Sequence, residues 1–174
     1  MKAVCITEPG SVSVVEIDTP KPGNGEVAID ISHVGFCGSD LTSFRGLNPL
    51  VSYPRVPGHE IAGTVVATGA EVPGFKPGDR VATTQRSHVC GHCAHCRDAH
   101  EPLCAEKIFL GDMGLNGGYA EYVCAPFQTV LPVPEGLSIV EAAALPETFM
   151  TASPHCTLRS VSKRACALTR SPRS

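Results

Sequence analysis

No long apolar run occurs in this chain. Nowhere in its 174 residues do hydrophobic side chains continue for the roughly 20 positions that a bilayer-spanning helix requires. Nor does the beginning resemble an export signal, because Glu8 and Pro9 arrive before an apolar stretch can build behind Lys2. Secretion and membrane insertion are poor readings, and a cytoplasmic protein is expected. Positive charge is also scarce where most of the chain lies. The first 152 residues hold nine Lys and Arg against seventeen Asp and Glu, and so acidic a body offers nothing to a phosphate backbone. Nucleic acid is therefore not an expected partner. The last 22 residues reverse the balance, with five basic side chains and no acidic one.

What is present reads as short strands separated by turns. Hydrophobic residues make up 43% and charged residues 18%, enough to bury one core and too apolar for disorder. Seventeen Gly and fifteen Pro are spread along the chain. Strands are predicted at Ala3–Ile6, Val12–Ile17 and Glu26–Ile31, where Val27, Ile29 and Ile31 share a face. Others are predicted within Gly58–Thr68, Arg80–Ala82, Gly117–Val123 and Thr129–Val133. Helix signals are few. Ser39 and Asp40 could cap a short helix, and Ser138 with Glu141 has capping-box spacing ahead of Ala142-Ala143-Ala144-Leu145. The expected fold class is mainly β (α+β): a distorted β-barrel with a metal-bearing lobe and few helices.

Nine cysteines are an odd number, so disulfides cannot pair them all, and four fall within fifteen residues. Cys90-x2-Cys93-x2-Cys96-x7-Cys104 offers four thiolates from one loop. Tetrahedral zinc takes four such ligands and keeps no position for a substrate, so a site of this kind is structural. His92 and His95 could serve instead, but their alternation with the cysteines turns them outward. Arg97 and Lys107 are near enough in sequence to offset the cage's negative charge. Free or redox-active thiols are the alternative.

A second set of residues is dispersed: Cys37-Gly38-Ser39-Asp40 and Gly58-His59-Glu60. Thiolate, imidazole and carboxylate are the mixed ligands of zinc sites that keep one position open. Taken alone, a single cysteine is more often a small core residue and a single histidine a hydrogen-bonded structural one.

Gly58-His59-Glu60-x2-Gly63-x5-Gly69-x2-Val72 resembles the signature of zinc-containing alcohol dehydrogenases, in the medium-chain dehydrogenase/reductase superfamily, although Pro73 stands where that signature ends in Ser. Gly35-Phe36-Cys37-Gly38-Ser39-Asp40 resembles the family's first-ligand segment. The four-cysteine loop resembles its structural zinc loop, and Phe75–Val81 its barrel turn. The likeness covers about residues 1–152 and implies a GroES-like catalytic domain. It also implies two zinc ions per chain, one structural on Cys90, Cys93, Cys96 and Cys104, and one catalytic on Cys37 and His59. Glu60 or Glu147 would be a further ligand. Ser39 would relay the substrate proton and Asp40 would orient His59. The implied reaction oxidises a small alcohol or polyol and passes hydride to NAD or NADP. Thr151, where relatives turn into their cofactor domain, would lie on the cofactor side. A histidine often ends the proton relay in relatives, and Thr42 stands in its place here. Phe44–Pro49 with Tyr53-Pro54-Arg55 looks more like the sugar and polyol members.

The family's Rossmann domain has a Gly-rich phosphate turn, and no G-x-G-x-x-G occurs in these residues. That domain is read as absent from this chain, which by itself is then not expected to bind NADH. The likeness fades after Thr151-Ala152. Residues 153–174 are read as a basic tail, disordered or produced by a frameshift, and its Cys156 and Cys166 have no evident metal partners.

Overall fold

The computed structural model describes the backbone of residues 1–152 and the side chains of residues 1–150. The basic tail and the side chain of Thr151 lie outside the described residues. The chain opens with a hairpin of β1 (Lys2–Glu8) and β2 (Ser11–Glu16), turned at Gly10 with φ +82°. Then follow β3 (Glu26–Gly35), the short helix α1 (Gly38–Phe44), β4 (Glu60–Thr68) and β5 (Arg80–Thr83). The cysteine lobe is framed by β6 (Arg86–His88) and β7 (Ile108–Phe109), with α2 (Ala94–Arg97) between them. β8 (Tyr122–Pro126), β9 (Val130–Pro132) and α3 (Ile139–Ala152) complete the order.

Five strands form one antiparallel sheet in the order β8-β3-β4-β5-β9. The sheet curls into a half-barrel, and the first hairpin is bonded to the loops beside it, the Val4 amide to the Tyr119 carbonyl and the Ile6 amide to the Arg55 carbonyl. Its core is Val27, Ile29, Ile61, Val65, Val81, Leu110, Val123, Ala125 and Val130. Each such aliphatic side chain larger than alanine contributes about 1.5–3 kcal/mol by leaving water. In β3 three consecutive residues, Val27, Ala28 and Ile29, are buried, which a strict period of two with one covered face forbids. Ala28 points to the opposite face from Val27 and Ile29, and β3 lies inside the sheet between β8 and β4 with α3 packed against it, so both faces are covered. The expected mainly β, GroES-like half-barrel with few helices is what the chain forms.

Some boundaries differ from expectation. The strand expected over Gly117–Val123 runs instead from Tyr122 to Pro126. Gly117, Gly118 and Tyr119 give their amides to the carbonyls of Val56, Gly58 and Pro57, so this stretch is tied to a loop and not to the sheet. The capping pair expected before the first helix is displaced too. Cys37 is the N-cap, and Asp40, three residues into the turn, accepts from the Cys37 amide at 2.9 Å. The β6/β7 pairing has no strong sequence signal, because the strands are only three and two residues long and β6 is polar. α3 does begin as expected: Ser138 Oγ accepts from the Glu141 amide at 3.3 Å, and Glu141 accepts from the Ser138 amide at 3.1 Å. Among the described residues no helix is long and apolar enough to cross a membrane.

At Gly63 the β4 backbone packs tightly against β3. A Cβ there would collide with the Asp30 carbonyl oxygen and sit 2.8 Å from Ile29 Cγ2. Backbone on one side and a core side chain on the other cannot both move aside. Gly63→Ala is expected to cost about 2–3 kcal/mol, read as a lower urea midpoint at unchanged m-value. An unaltered midpoint would show that the two strands can separate freely.

Candidate metal centres and the site around Cys37

The cysteine lobe is built from a local chain path. β6 leads into Cys90, Gly91 turns with φ +75°, α2 carries Cys96, and a single 3-10 turn delivers Cys104 into the interior. The four thiols lie within 4.8 Å of one another, none in a disulfide. Cys90 Sγ and Cys96 Sγ are 3.8 Å apart. A tetrahedron with metal–sulfur arms of about 2.3 Å has edges of about 3.8 Å, whereas a disulfide would need about 2.05 Å. The donor set fits a divalent ion of the zinc class. Burial pushes the Cys96 thiol up to about 12, while the amides of Cys90 and Glu106 help hold Cys104 down to about 7. Proton loss from such a cluster is therefore uneven, and a cation that gathers four thiolates is what would complete it. Lys107 Nζ donates to the Cys104 carbonyl at 3.2 Å, while Arg97, His92 and His95 are exposed.

The dispersed residues do come together. Cys37 leaves the end of β3, and Gly58-His59-Glu60 enters β4 beside it, so that Gly35 and Glu60 are paired residues. Ligand atoms of Cys37, His59 and Glu60 lie within 4.8 Å of one another. Gly58 makes this possible with φ +95°, and a Cβ there would press on Tyr119 and on Val34 at about 3.1 Å. Gly35 is needed for the same reason, since the Glu60 carboxylate occupies the place of its missing Cβ.

Asp40 holds this corner. It is 4% exposed, and its carboxylate accepts from the Cys37 amide at 2.9 Å and the Gly58 amide at 3.3 Å. The Tyr119 hydroxyl donates at 3.1 Å to Oδ2, the oxygen that also accepts from Cys37, and lies within reach of the Gly35 carbonyl. Burial and then the Asp40 charge keep the Tyr119 phenol protonated well above its ordinary range. His59, 2% exposed, points Nε2 toward Ser39 Oγ at 3.4 Å and Nδ1 toward Asp40 Oδ1 at 3.8 Å. The second distance is too long for a hydrogen bond, and Nδ1 has no other partner. An orphaned buried ring nitrogen beside a carboxylate, with thiol and carboxylate donors around the ring, fits a metal centre of the open, mixed-ligand type. For a cation on this site, Cys37, His59 and Glu60 are the residues that could hold it.

Glu147 comes from α3 and stands apart from that trio. Its Oε1 accepts from the Gln85 amide at 2.6 Å. Burial raises its pKa, and the same carboxylate feels His59 and Glu60, so it lies within electrostatic range of the centre. Gln85 also donates to Asp112 Oδ2 at 3.1 Å, linking Glu147 to a buried carboxylate whose pKa burial raises. Tyr119, Gln85 and Asp112 were not picked out from sequence. The Gly117-Gly118 pair before Tyr119 is the one local sign of a close backbone approach there.

The description "Alcohol dehydrogenase GroES-like domain" matches residues 23–135. Alcohol dehydrogenase 2 of Emericella nidulans is 41% identical over 83% of this chain and 41% of its own length. D-arabitol-phosphate dehydrogenase of Enterococcus avium is 36% identical over 84% of this chain and 42% of its own. The crystal structure of an NAD-dependent alcohol dehydrogenase superposes with a TM-score of 0.82 at 35% identity, covering 88% of this chain and 45% of that one. A half-barrel with two metal-competent side-chain clusters thus defines a dehydrogenase-type domain. The chain belongs to the zinc-type alcohol dehydrogenase family of the medium-chain superfamily, through its GroES-like domain. It spans about two fifths of the length of the curated relatives it matches.

Two substitutions test the geometry. Asp40→Asn is expected to weaken zinc at the Cys37 and His59 centre by about 10–100-fold, measured by competition with a chromophoric chelator. Unchanged affinity would mean that the carboxylate does not position the ring. Cys104→Ser, at a fully buried position, is expected to remove one zinc equivalent and to lower the melting temperature by about 10 °C or more. A variant that keeps its metal count would place the ion elsewhere.

Proposed function

We propose that this chain is the substrate- and zinc-binding domain of an NAD(P)-dependent alcohol or polyol dehydrogenase, which oxidises a primary or secondary alcohol to its carbonyl compound. The observation that carries the reading is the convergence of Cys37, His59 and Glu60, with Ser39 on the same imidazole. Polyol-type substrates are favoured by the stretch Phe44–Pro49 and by the family's polyol-phosphate members among the similar proteins, D-arabitol-phosphate and galactitol-1-phosphate dehydrogenases. Two zinc ions per chain are proposed, one in the four-cysteine cage and one at the open centre.

Zinc bound at the open centre would supply Lewis-acid stabilisation of the alcohol's developing negative oxygen. The chain's own groups do the rest. Cys37 and His59 would hold the ion, with Glu60 or Glu147 as its last protein ligand. Ser39 Oγ, half-buried and 3.4 Å from His59 Nε2, takes the hydroxyl proton and gives it up toward solvent. Thr42 does not extend this path, because its exposed hydroxyl donates to the Gly38 carbonyl at 3.1 Å. The Asp40 carboxylate, 3.8 Å from His59 Nδ1, would favour the ring proton on that nitrogen by its charge and leave Nε2 for metal. Phe36 beside Cys37, exposed to 70%, offers apolar surface to the carbon skeleton of a substrate or to the nicotinamide. NAD or NADP, held by a dinucleotide-binding unit, would accept the hydride from the alcohol carbon, with Thr151 proposed on the side that meets that unit. The cytoplasm suits a chain whose seven described cysteines are all free thiols.

Metal analysis of the purified chain after exhaustive dialysis is expected to find two tightly held zinc ions. After cobalt replaces zinc, millimolar polyol is expected to shift the visible spectrum in the wild type and not in Cys37→Ser. A spectrum indifferent to alcohols and polyols would favour a zinc-binding barrel without turnover. NAD(P)-linked oxidation, measured in a polypeptide that also carries a dinucleotide-binding domain, is expected to fall at least 100-fold with Ser39→Ala.

A further inference from the structure

Outside the four-cysteine cage, two exposed side chains face the same sulfur. His92 Nε2 and Glu106 Oε1 approach to 4.0 Å, and ligand atoms of Cys90, His92 and Glu106 all lie within 4.8 Å of one another. The imidazole is held in place, with its Nδ1 2.8 Å from the Cys90 carbonyl oxygen. A carbonyl can only accept, so Nδ1 carries the proton and Nε2 presents its lone pair. That is the arrangement in which metal-binding histidines are fixed by a backbone carbonyl on the opposite nitrogen. His95, also exposed and only three residues on, belongs to none of the ligand groups among the described residues.

We propose that Cys90, His92 and Glu106 bind a further divalent cation of the zinc class, with the Cys90 thiolate bridging it to the ion in the cage. A thiolate sulfur has three lone pairs. In Cys90 one faces the cage, where Cys96 Sγ lies at 3.8 Å, and one accepts the Cys93 amide at 3.3 Å. The His92 amide also donates to this sulfur, so the outer cation takes the place of that bond. Charge favours it as well. Four thiolates around a divalent ion keep a formal charge of roughly −2, and Glu106 adds another negative group beside them. Lys107 spends its ammonium on the Cys104 carbonyl, so among the described residues no lysine neutralises Glu106. Nitrogen and oxygen ligands on one tetrahedral zinc sit about 3.3 Å apart, and a side chain as exposed as Glu106 can close the difference by rotation. Water would complete the coordination, so this ion exchanges more readily than the caged one.

The proposal rests on the cage being loaded, and the experiment keeps the two apart. The full chain is stripped of metal, titrated with cadmium-113, and compared with the double variant His92→Ala/Glu106→Gln. By equilibrium dialysis the wild type is expected to hold one cadmium more than the variant, with at least tenfold weaker binding of that ion in Glu106→Gln alone. In the cadmium NMR spectrum, the four-sulfur resonance is expected to shift or split as the extra ion binds, in the wild type only. Both substituted positions are exposed, so a four-sulfur resonance in the variant doubles as proof of folding. Equal counts in the two proteins would overturn the proposal, as would a four-sulfur resonance that ignores the extra ion. Absence of that resonance from the wild type would overturn the cage reading, and the bridge with it.

Discussion

The buried carboxylate of Asp40 is the contact on which the open centre depends. It gathers the amides of Cys37 and Gly58 and the hydroxyl of Tyr119, which arrive from three separate stretches of chain. A carboxylate that is 4% exposed needs such donors to replace its lost hydration, and each donor in turn needs an acceptor. The requirement is mutual, so the three stretches stay registered. One of them carries the thiol of Cys37 and another the ring of His59. The same charge lies beside the unpartnered Nδ1 of His59, which makes it a structural clamp and an electrostatic neighbour of the imidazole.

The two metal-competent clusters are organised in opposite ways. The cage is closed within fifteen residues, and its loop enthalpy and entropy are local matters that a bound ion can settle. It needs little from the barrel beyond the burial of Cys104. The open centre is assembled from the ends of β3 and β4, with α3 bringing Glu147 into its field. It therefore inherits the rigidity of the five-stranded sheet. Close approaches at Gly35, Gly58 and Gly63 are part of that inheritance, because each lets backbone or carboxylate occupy the volume of a side chain.

An acidic network extends the open centre inward. Glu147, Gln85 and Asp112 are linked by hydrogen bonds of 2.6 and 3.1 Å, and burial raises the pKa of both carboxylates. Groups of one sign concentrated near an imidazole and a thiol favour a bound cation, which would relieve their repulsion. Gln85 stands at the junction, with its amide on one carboxylate and its side chain on the other.

Much of this was readable from residue order alone, for a physical reason. Strand alternation around Val27 and Ile29, the Ser138 capping box and the cysteine spacing are short-range patterns, and short-range patterns survive without a fold. The first-helix cap was misplaced by two residues because Cys37 is a rare N-cap, and only the bond from its amide to Asp40 reveals it. The strand near Gly117 was misplaced because two glycines allow that backbone to pair with the 56–58 loop, a partner sixty residues away. Motif likeness could name Cys37, His59 and Asp40, but their distances, the part of Tyr119 and the standing of Glu147 outside the Cys37 trio are set by packing between remote segments. Composition and local spacing determined that this chain would form a β-rich domain with a thiolate cage. Which carboxylate touches which ring was decided by the closing of the sheet, since long-range contacts exist only once the chain has folded.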